Sequence, residues 1–274
     1  MGKILEEAYY SQSSLKKKPH YHRGHQILLI LEGEVELSVN GISRLAGAGD
    51  LVLFSRYENH SVTVRSKSYA RYVLQVEPPK DRREDRIFSV LSNRPKGFGN
   101  VLDVSDDLMD FEALFRQLVT EYGTAESMAD QMQQLLVRQL LIRIYRRCPE
   151  VLCFYENEKY AAVFDLQRRF EERFAENYRL QDLARGYALS VSSLCHRFKE
   201  ATGMAVMDYL LSCRVAAAKQ LLTDTQVRIS DIVEQCGFSD CSNFSRTFKR
   251  MTGISPTAFR ECYGSVKKER VYDL

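Results

Sequence analysis

The chain repeats itself toward its C-terminus, and the repeat limits what it can fold into. Asp182-Leu183-Ala184 recurs as Asp231-Ile232-Val233 at an offset of 49. Leu194, Phe198, Lys199, Thr202 and Gly203 recur as Phe244, Phe248, Lys249, Thr252 and Gly253 at an offset of 50, so one residue is inserted at the turn. Each copy reads as a helix, a turn near Gly186-Tyr187 or Cys236-Gly237-Phe238, a second helix and a Gly stop. Ser190 and Ser239 stand where the second helices need N-caps, since a short hydroxyl side chain accepts from the orphan N–H groups of a first turn. Leu194/Phe198 and Phe244/Phe248, each spaced i,i+4, anchor those helices inward.

Two helices joined by a tight turn form a unit that can lay its second helix in a DNA major groove. The outward face must then be polar and have reach. The first copy offers Ser192, Ser193, Cys195, His196, Arg197, Lys199 and Glu200 there; the second offers Ser242, Asn243, Ser245, Arg246, Lys249 and Arg250. Arg can bridge guanine, Asn can bridge adenine, and Lys and Ser commonly take phosphate. Between the copies, Met207 to Leu222 is apolar-rich, and as one helix it spans about 24 Å. With the width of the flanking units, the two second helices come to lie about one DNA turn apart, roughly 34 Å.

Net charge alone gives little hint of a polyanion partner: 39 Lys+Arg against 36 Asp+Glu leave +3. That total is an average. Residues 1–158 carry 21 against 22, and residues 159–274 carry 18 against 14. The C-terminal excess is modest, so DNA binding depends on where Arg197, Lys199, Arg246, Lys249 and Arg250 sit.

The stretch Ile229-Ser-Asp-Ile-Val-Glu-Gln-Cys-Gly-Phe238, then Asn243-Phe-Ser-Arg-Thr-Phe-Lys249, then Gly253-Ile-Ser-Pro-Thr-Ala-Phe-Arg260 closely resembles the signature of the AraC/XylS family of bacterial transcription regulators. The resemblance covers about Tyr160 to Cys262, and Arg214, Ala218 and Leu221-Leu222 look like that family's linker helix. One departure lies in the first copy, where Ala205-Val206 replaces the Ser255-Pro256 of the second. The resemblance implies that Ser192, Cys195 and His196 in the first unit, and Ser242, Asn243 and Arg246 in the second, face bases. It further implies promoter DNA, RNA polymerase and a small-molecule effector such as a sugar or small metabolite as partners, and favours activation.

From about Gln26 to Glu77 the texture is that of short strands. Val35, Leu37 and Val39 alternate with Glu34, Glu36 and Ser38, and Asn40-Gly41 marks a tight hairpin. Further strands follow at Leu51–Phe54, around Val62 and Val64, and at Tyr69–Val76, predicting a small barrel or sandwich. Four of the five His lie in the first 60 residues. His20-x-His22, Gln26, Gly33, Gly47-x-Gly49-Asp50 and His60 resemble the cupin pattern, which matches the sensor barrel of many AraC-type regulators. In cupin enzymes such His residues and a Glu hold a divalent metal; here the Glu position is Gln26, a poor ligand for such a cation. His20, His22, Gln26 and His60 are therefore read as an effector pocket, with a metal site or a ligand-free inheritance as the other readings. Strand alternation puts His25 outside that pocket. Lys16-Lys17-Lys18 reads as a solvated run or as an arm touching ligand or the other domain.

Leu108, Phe111, Phe115, Leu118 and Tyr122 then step at helical period, and a second helix runs from about Met128 to Arg147. The apolar surface of the second is wider than one stripe and needs partners on two sides, either within one domain or from a second copy of the chain. Seven Cys, odd in number and without a CxxC pair, argue against a disulfide or zinc framework. The longest aliphatic run, Ile27 to Leu31, is far short of the roughly 20 residues a membrane span needs, and the N-terminus lacks a signal-peptide stretch. The expected compartment is the cytoplasm.

Together these features predict a two-domain α+β chain. A cupin-like β-barrel with dimerisation helices occupies residues 1–147, a linker 148–158, a double helix-turn-helix domain 159–264 and a tail 265–274. The expected function is that of a homodimeric, effector-responsive transcription activator, with no catalytic residue, metal or cofactor. The alternative is a cupin metalloenzyme with a helical appendage.

Overall fold

The computed structural model describes residues 4–12, 17–20, 22, 24–39, 42–58, 60–77, 86–91, 99–149, 158–224 and 227–264. The chain forms two compact units, one of Met1–Tyr160 together with Lys199–Gly203 and the other of Ala161–Phe198 with Met204–Leu274. The linker expected at 148–158 and the tail lie almost wholly outside the described residues.

The first unit is built on strands β1 (Leu5–Gln12), β2 (Lys17–His20), β3 (His25–Glu32), β4 (Glu34–Val39), β5 (Ile42–Gly47), β6 (Asp50–Phe54), β7 (His60–Val64), β8 (Ala70–Val76) and β9 (Val101–Asp103). They make two antiparallel sheets, one ordered β1-β8-β3-β6-β9 and the other β2-β7-β4-β5. The β4–β5 pairing ends at Val39 opposite Ile42; the hairpin expected at Asn40-Gly41 lies outside the described residues. Strands β1, β2 and β9 fall where the sequence pattern gives no strand signal; β1 owes its place to pairing along β8, with Tyr9 opposite Val73.

Strand β3 explains why its sequence is a continuous apolar run rather than an alternation. Leu28 and Ile30 join Val35, Leu37, Val52 and Val73 in a core between the sheets. Ile27 and Leu29 point the other way. They join Leu74, Val76, Phe111, Phe115, Leu140 and Leu141 in a core formed with helices α1 (Leu108–Gly123) and α2 (Ala129–Arg147). A strand covered on both faces has no solvent side to mark with polar residues.

The helical part comprises α3 (Glu158–Glu172), α4 (Leu180–Gly186), α5 (Val191–Thr202), α6 (Val206–Asp224), α7 (Ile229–Gln235), α8 (Cys241–Thr252) and α9 (Pro256–Tyr263). Its two copies match bond for bond. Leu189 N–H donates to Ala184 O at 2.9 Å, and Phe238 N–H to Val233 O at 3.0 Å, still at the offset of 49. Leu194 N–H then donates to Ser190 O at 3.0 Å, and Phe244 N–H to Asp240 O at 3.1 Å, at the offset of 50. The inserted residue is therefore Ser239.

This corrects one cap. Ser190 Oγ accepts from Ser193 N–H at 3.1 Å as expected, but α8 is capped by Asp240, whose Oδ1 accepts from Asn243 N–H at 2.7 Å. Ser239 stands one residue too early and donates its hydroxyl to Asp240 instead. The helix α6 begins at Val206 without a proline, while α9 has Pro256 in its first turn and Ser255 Oγ accepting from Ala258 N–H at 3.2 Å.

Candidate nucleic-acid interface and ligand cavity

Helices α5 and α8 sort their residues by period. On α5, Leu194 and Phe198 are fully buried, Ser192, His196 and Lys199 are exposed, and Cys195 and Arg197 are half-buried. On α8, Phe244, Thr247 and Phe248 are buried, Ser242, Arg246, Lys249 and Arg250 are exposed, and Asn243 is half-buried. Asn243 also accepts from the Thr247 hydroxyl at 3.4 Å through its Oδ1, which restrains the amide one turn away.

The face of α8 is held from behind by a run of rings. Phe238, Phe244, Phe248 and Phe259 follow one another at centroid distances of 5.1, 5.5 and 5.4 Å. Such tilted and edge-on ring pairs add orientation to burial. Arg214 of α6 connects the two copies. Its Nε and Nη2 donate to Phe174 O and Glu176 O, both at 2.8 Å, and its guanidinium lies 5.8 Å from the Phe238 ring. Burial lowers the pKa of Arg214, and the two carbonyls accept from two of its five N–H donors. The Gly237 backbone, at φ +73, lies so close to the segment before α4 that a Cβ would fall 2.5 Å from Ala175 O.

In the sheet unit, three of the four expected pocket residues converge. His20 stands opposite His60 in the β2–β7 pairing, and each of His20, His22 and His60 offers a ligating atom within 4.8 Å of the others. The His60 ring stacks on Phe54 at 3.7 Å. His60 Nδ1 lies 2.9 Å from Glu58 O, which can only accept, so Nδ1 carries a hydrogen. The fourth residue, Gln26, lines a cavity shared with His20, together with Tyr9, Leu28, Val62, Tyr69, Arg71 and Val73. His25 is not among its lining; it is fully buried on the opposite strand face, where its Nδ1 accepts from Arg56 N–H at 3.3 Å.

Tyr9, Tyr69 and Arg71 are cavity residues that the sequence pattern missed. The signal was present: Arg71 is a permanent cation inside a strand whose every residue is buried. Its guanidinium lies 4.6 Å from the Tyr69 ring centre. Burial pushes the Tyr69 hydroxyl up to about 12 and raises Tyr9 as well, Glu7 adding to the latter.

The comparisons with known proteins agree with both units. Residues 3–143 match the AraC-like ligand binding domain family, and residues 183–261 match a helix-turn-helix domain family. The chain is 26% identical over 247 residues to the HTH-type transcriptional activator RhaS of Enterobacter sp. (strain 638), covering 88% of this chain and 87% of that protein. It is 28% identical over 158 residues to the activator RhaR of Mannheimia succiniciproducens, and this match spans 57% of the chain but only 55% of that relative. Among solved structures, ToxT from Vibrio cholerae strain SCE256, crystallised with an unsaturated fatty acid, shares the fold with TM-score 0.64 at 15% identity, covering 98% of this chain and 100% of that one. The chain belongs to the AraC family of DNA-binding transcription regulators, with an AraC-like ligand-binding domain ahead of its helix-turn-helix domain.

Proposed function

We propose that the protein is an effector-responsive transcription activator that inserts α5 and α8 into two adjacent segments of the major groove. The observation that carries this reading is the pair of capped helices with matching backbone bonds, each burying its Phe/Leu stripe and exposing Ser, His, Lys and Arg. Ser192, Cys195, His196, Ser242, Asn243 and Arg246 take base edges, while Arg197, Lys199, Lys249 and Arg250 take phosphates. The RhaS and RhaR relatives, both named as activators, favour activation through RNA polymerase. In this reading residues 1–147 sense effector and dimerise, 148–158 link, 159–264 bind DNA, and the protein works in the cytoplasm.

The effector enters the cavity lined by His20 and Gln26, with His22 and His60 beside it. Effector binding shifts the population of arrangements that the two helix-turn-helix units adopt on DNA. Dimerisation uses the outer stripe of α2. Met128, before its first turn, and Met132, Leu135 and Ile142 along it recur at helical spacing and remain exposed while Leu136, Leu140 and Leu141 fill the core. Footprinting on the promoter beside the gene tests the reading. Protection in two patches about one helical turn apart supports it, and an unprotected promoter with and without effector overturns it.

One observation favours a second reading, a cupin metalloenzyme. Three imidazoles with ligating atoms within 4.8 Å, one of them with Nδ1–H fixed on a carbonyl, suit a divalent metal. Gln26 supplies an amide where an anionic ligand would strengthen such a site. Elemental analysis of protein purified without chelator decides, and absence of stoichiometric metal ends this reading.

A further inference from the structure

We propose that the cavity between the sheets is selective for a small organic anion, a carboxylate or a phosphate monoester, anchored by Arg71 and Tyr69. The inference rests on the reading of this cavity as the effector site and adds its charge class.

Four observations carry it. First, among the described residues the lining holds one permanent cation, Arg71, and no Asp or Glu. Glu7 acts on Tyr9 from outside that lining. Second, Arg71 is only 7% exposed, and its guanidinium lies 4.6 Å from the centre of the Tyr69 ring. A guanidinium carries its N–H donors around its planar edge, where they match the two oxygens of a carboxylate or phosphate. Third, the Tyr69 hydroxyl is buried, in a residue only 4% exposed, and has no hydrogen-bond partner among the described residues. A buried hydroxyl without an acceptor is costly, and an anionic oxygen beside Arg71 would satisfy it. Fourth, Gln26 and His20 add polar groups to the lining, which Leu28, Val62 and Val73 complete with apolar ones.

Tyr69 and Tyr9 fit the donor role. With their hydroxyls raised by burial, both stay protonated at neutral pH. The cation and both rings come from strands β1 and β8 and the residue just before β8, one continuous patch of the five-stranded sheet.

The test uses the full chain, with calorimetry and thermal shift on matched pairs: galacturonate and galactose, gluconate and glucose, benzoate and benzyl alcohol, with glucose 6-phosphate as the phosphate arm. The expected result is at least one acid or the phosphate binding tenfold or more tightly than its neutral partner. Arg71→Met removes at least tenfold of that affinity and Tyr69→Phe several-fold. Arg71→Lys keeps the preference for the anion while weakening it, and it carries the test should Arg71→Met fail to fold. Neutral partners binding as tightly as the acids overturn the proposal, as does acid binding that survives Arg71→Met, or no binding by any acid or the phosphate. Binding of a neutral sugar that falls in Tyr69→Phe or Gln26→Leu leaves the cavity as the effector site and removes only the anion class. Binding indifferent to every cavity substitution removes the site itself.

Discussion

The Asp240 carboxylate accepts the backbone N–H of Asn243 at 2.7 Å, closing the first turn of α8 on the residue offered to the DNA. Asp240→Ala opens that turn and lowers stability measurably, while Asp240→Ser keeps most of it, both read from urea unfolding. The bond also has a pH signature. Asn243 N–H holds the Asp240 carboxyl below its ordinary value, with the Ser239 hydroxyl helping. A lowered carboxyl stabilises the fold above its unfolded pKa of about 3.9, and this contribution disappears as pH falls through the folded pKa. The stability gap between wild type and Asp240→Asn is therefore full at neutral pH and shrinks below about pH 4.

Gly237 is the second place where one atom decides the fold. Its φ is +73, and an added Cβ would lie 2.5 Å from Ala175 O and 2.7 Å from Ala175 Cα. Both obstacles are backbone, which cannot swing aside. Gly237→Ala is expected to cost about 2 kcal/mol or more in urea unfolding. Gly186, which ends α4 with nothing within 4 Å of its Cβ position, is the control. Gly186→Ala should be neutral or stabilise by roughly 0.5–1 kcal/mol.

The dimer reading makes a third prediction. Leu135 is 64% exposed in the middle of the α2 outer stripe. Leu135→Asp should convert a sedimenting dimer into a monomer, while changing monomer stability by no more than about 0.5 kcal/mol. A wild type that is monomeric at working concentration removes this interface.

How much of this was legible in the sequence depended on where the partners lie. Helices α5 and α8 were readable because their apolar stripes, stops and caps are local, and because the chain states them twice. The single slip, Ser239 for Asp240, came from an offset that changes within the turn itself. Strand β1 was not readable: Leu5–Gln12 carries Glu6 and Glu7 and becomes a strand only through its non-local pairing with β8. The histidine cluster could be anticipated from the resemblance of His20, His22 and His60 to the cupin pattern, whereas Tyr9, Tyr69 and Arg71 reach the cavity only once two strands lie side by side. The charge of Arg71 in a fully buried strand was the one local clue.

Cation placement on α8 leads to the most direct measurement. Arg246 is exposed on the face presented by Asp240 and the phenylalanine core, and Lys249 and Arg250 are exposed one turn on. The decisive experiment measures affinity for the footprinted operator against salt concentration, then repeats it for Arg246→Ala on operators substituted one base pair at a time. The account predicts an affinity that falls steeply and linearly in log–log form with salt. It further predicts that Arg246→Ala loses about 1–3 kcal/mol of discrimination at a single base position. An affinity indifferent to salt would contradict DNA recognition by these helices, and equal weakening across every operator would make Arg246 a phosphate contact rather than a base reader.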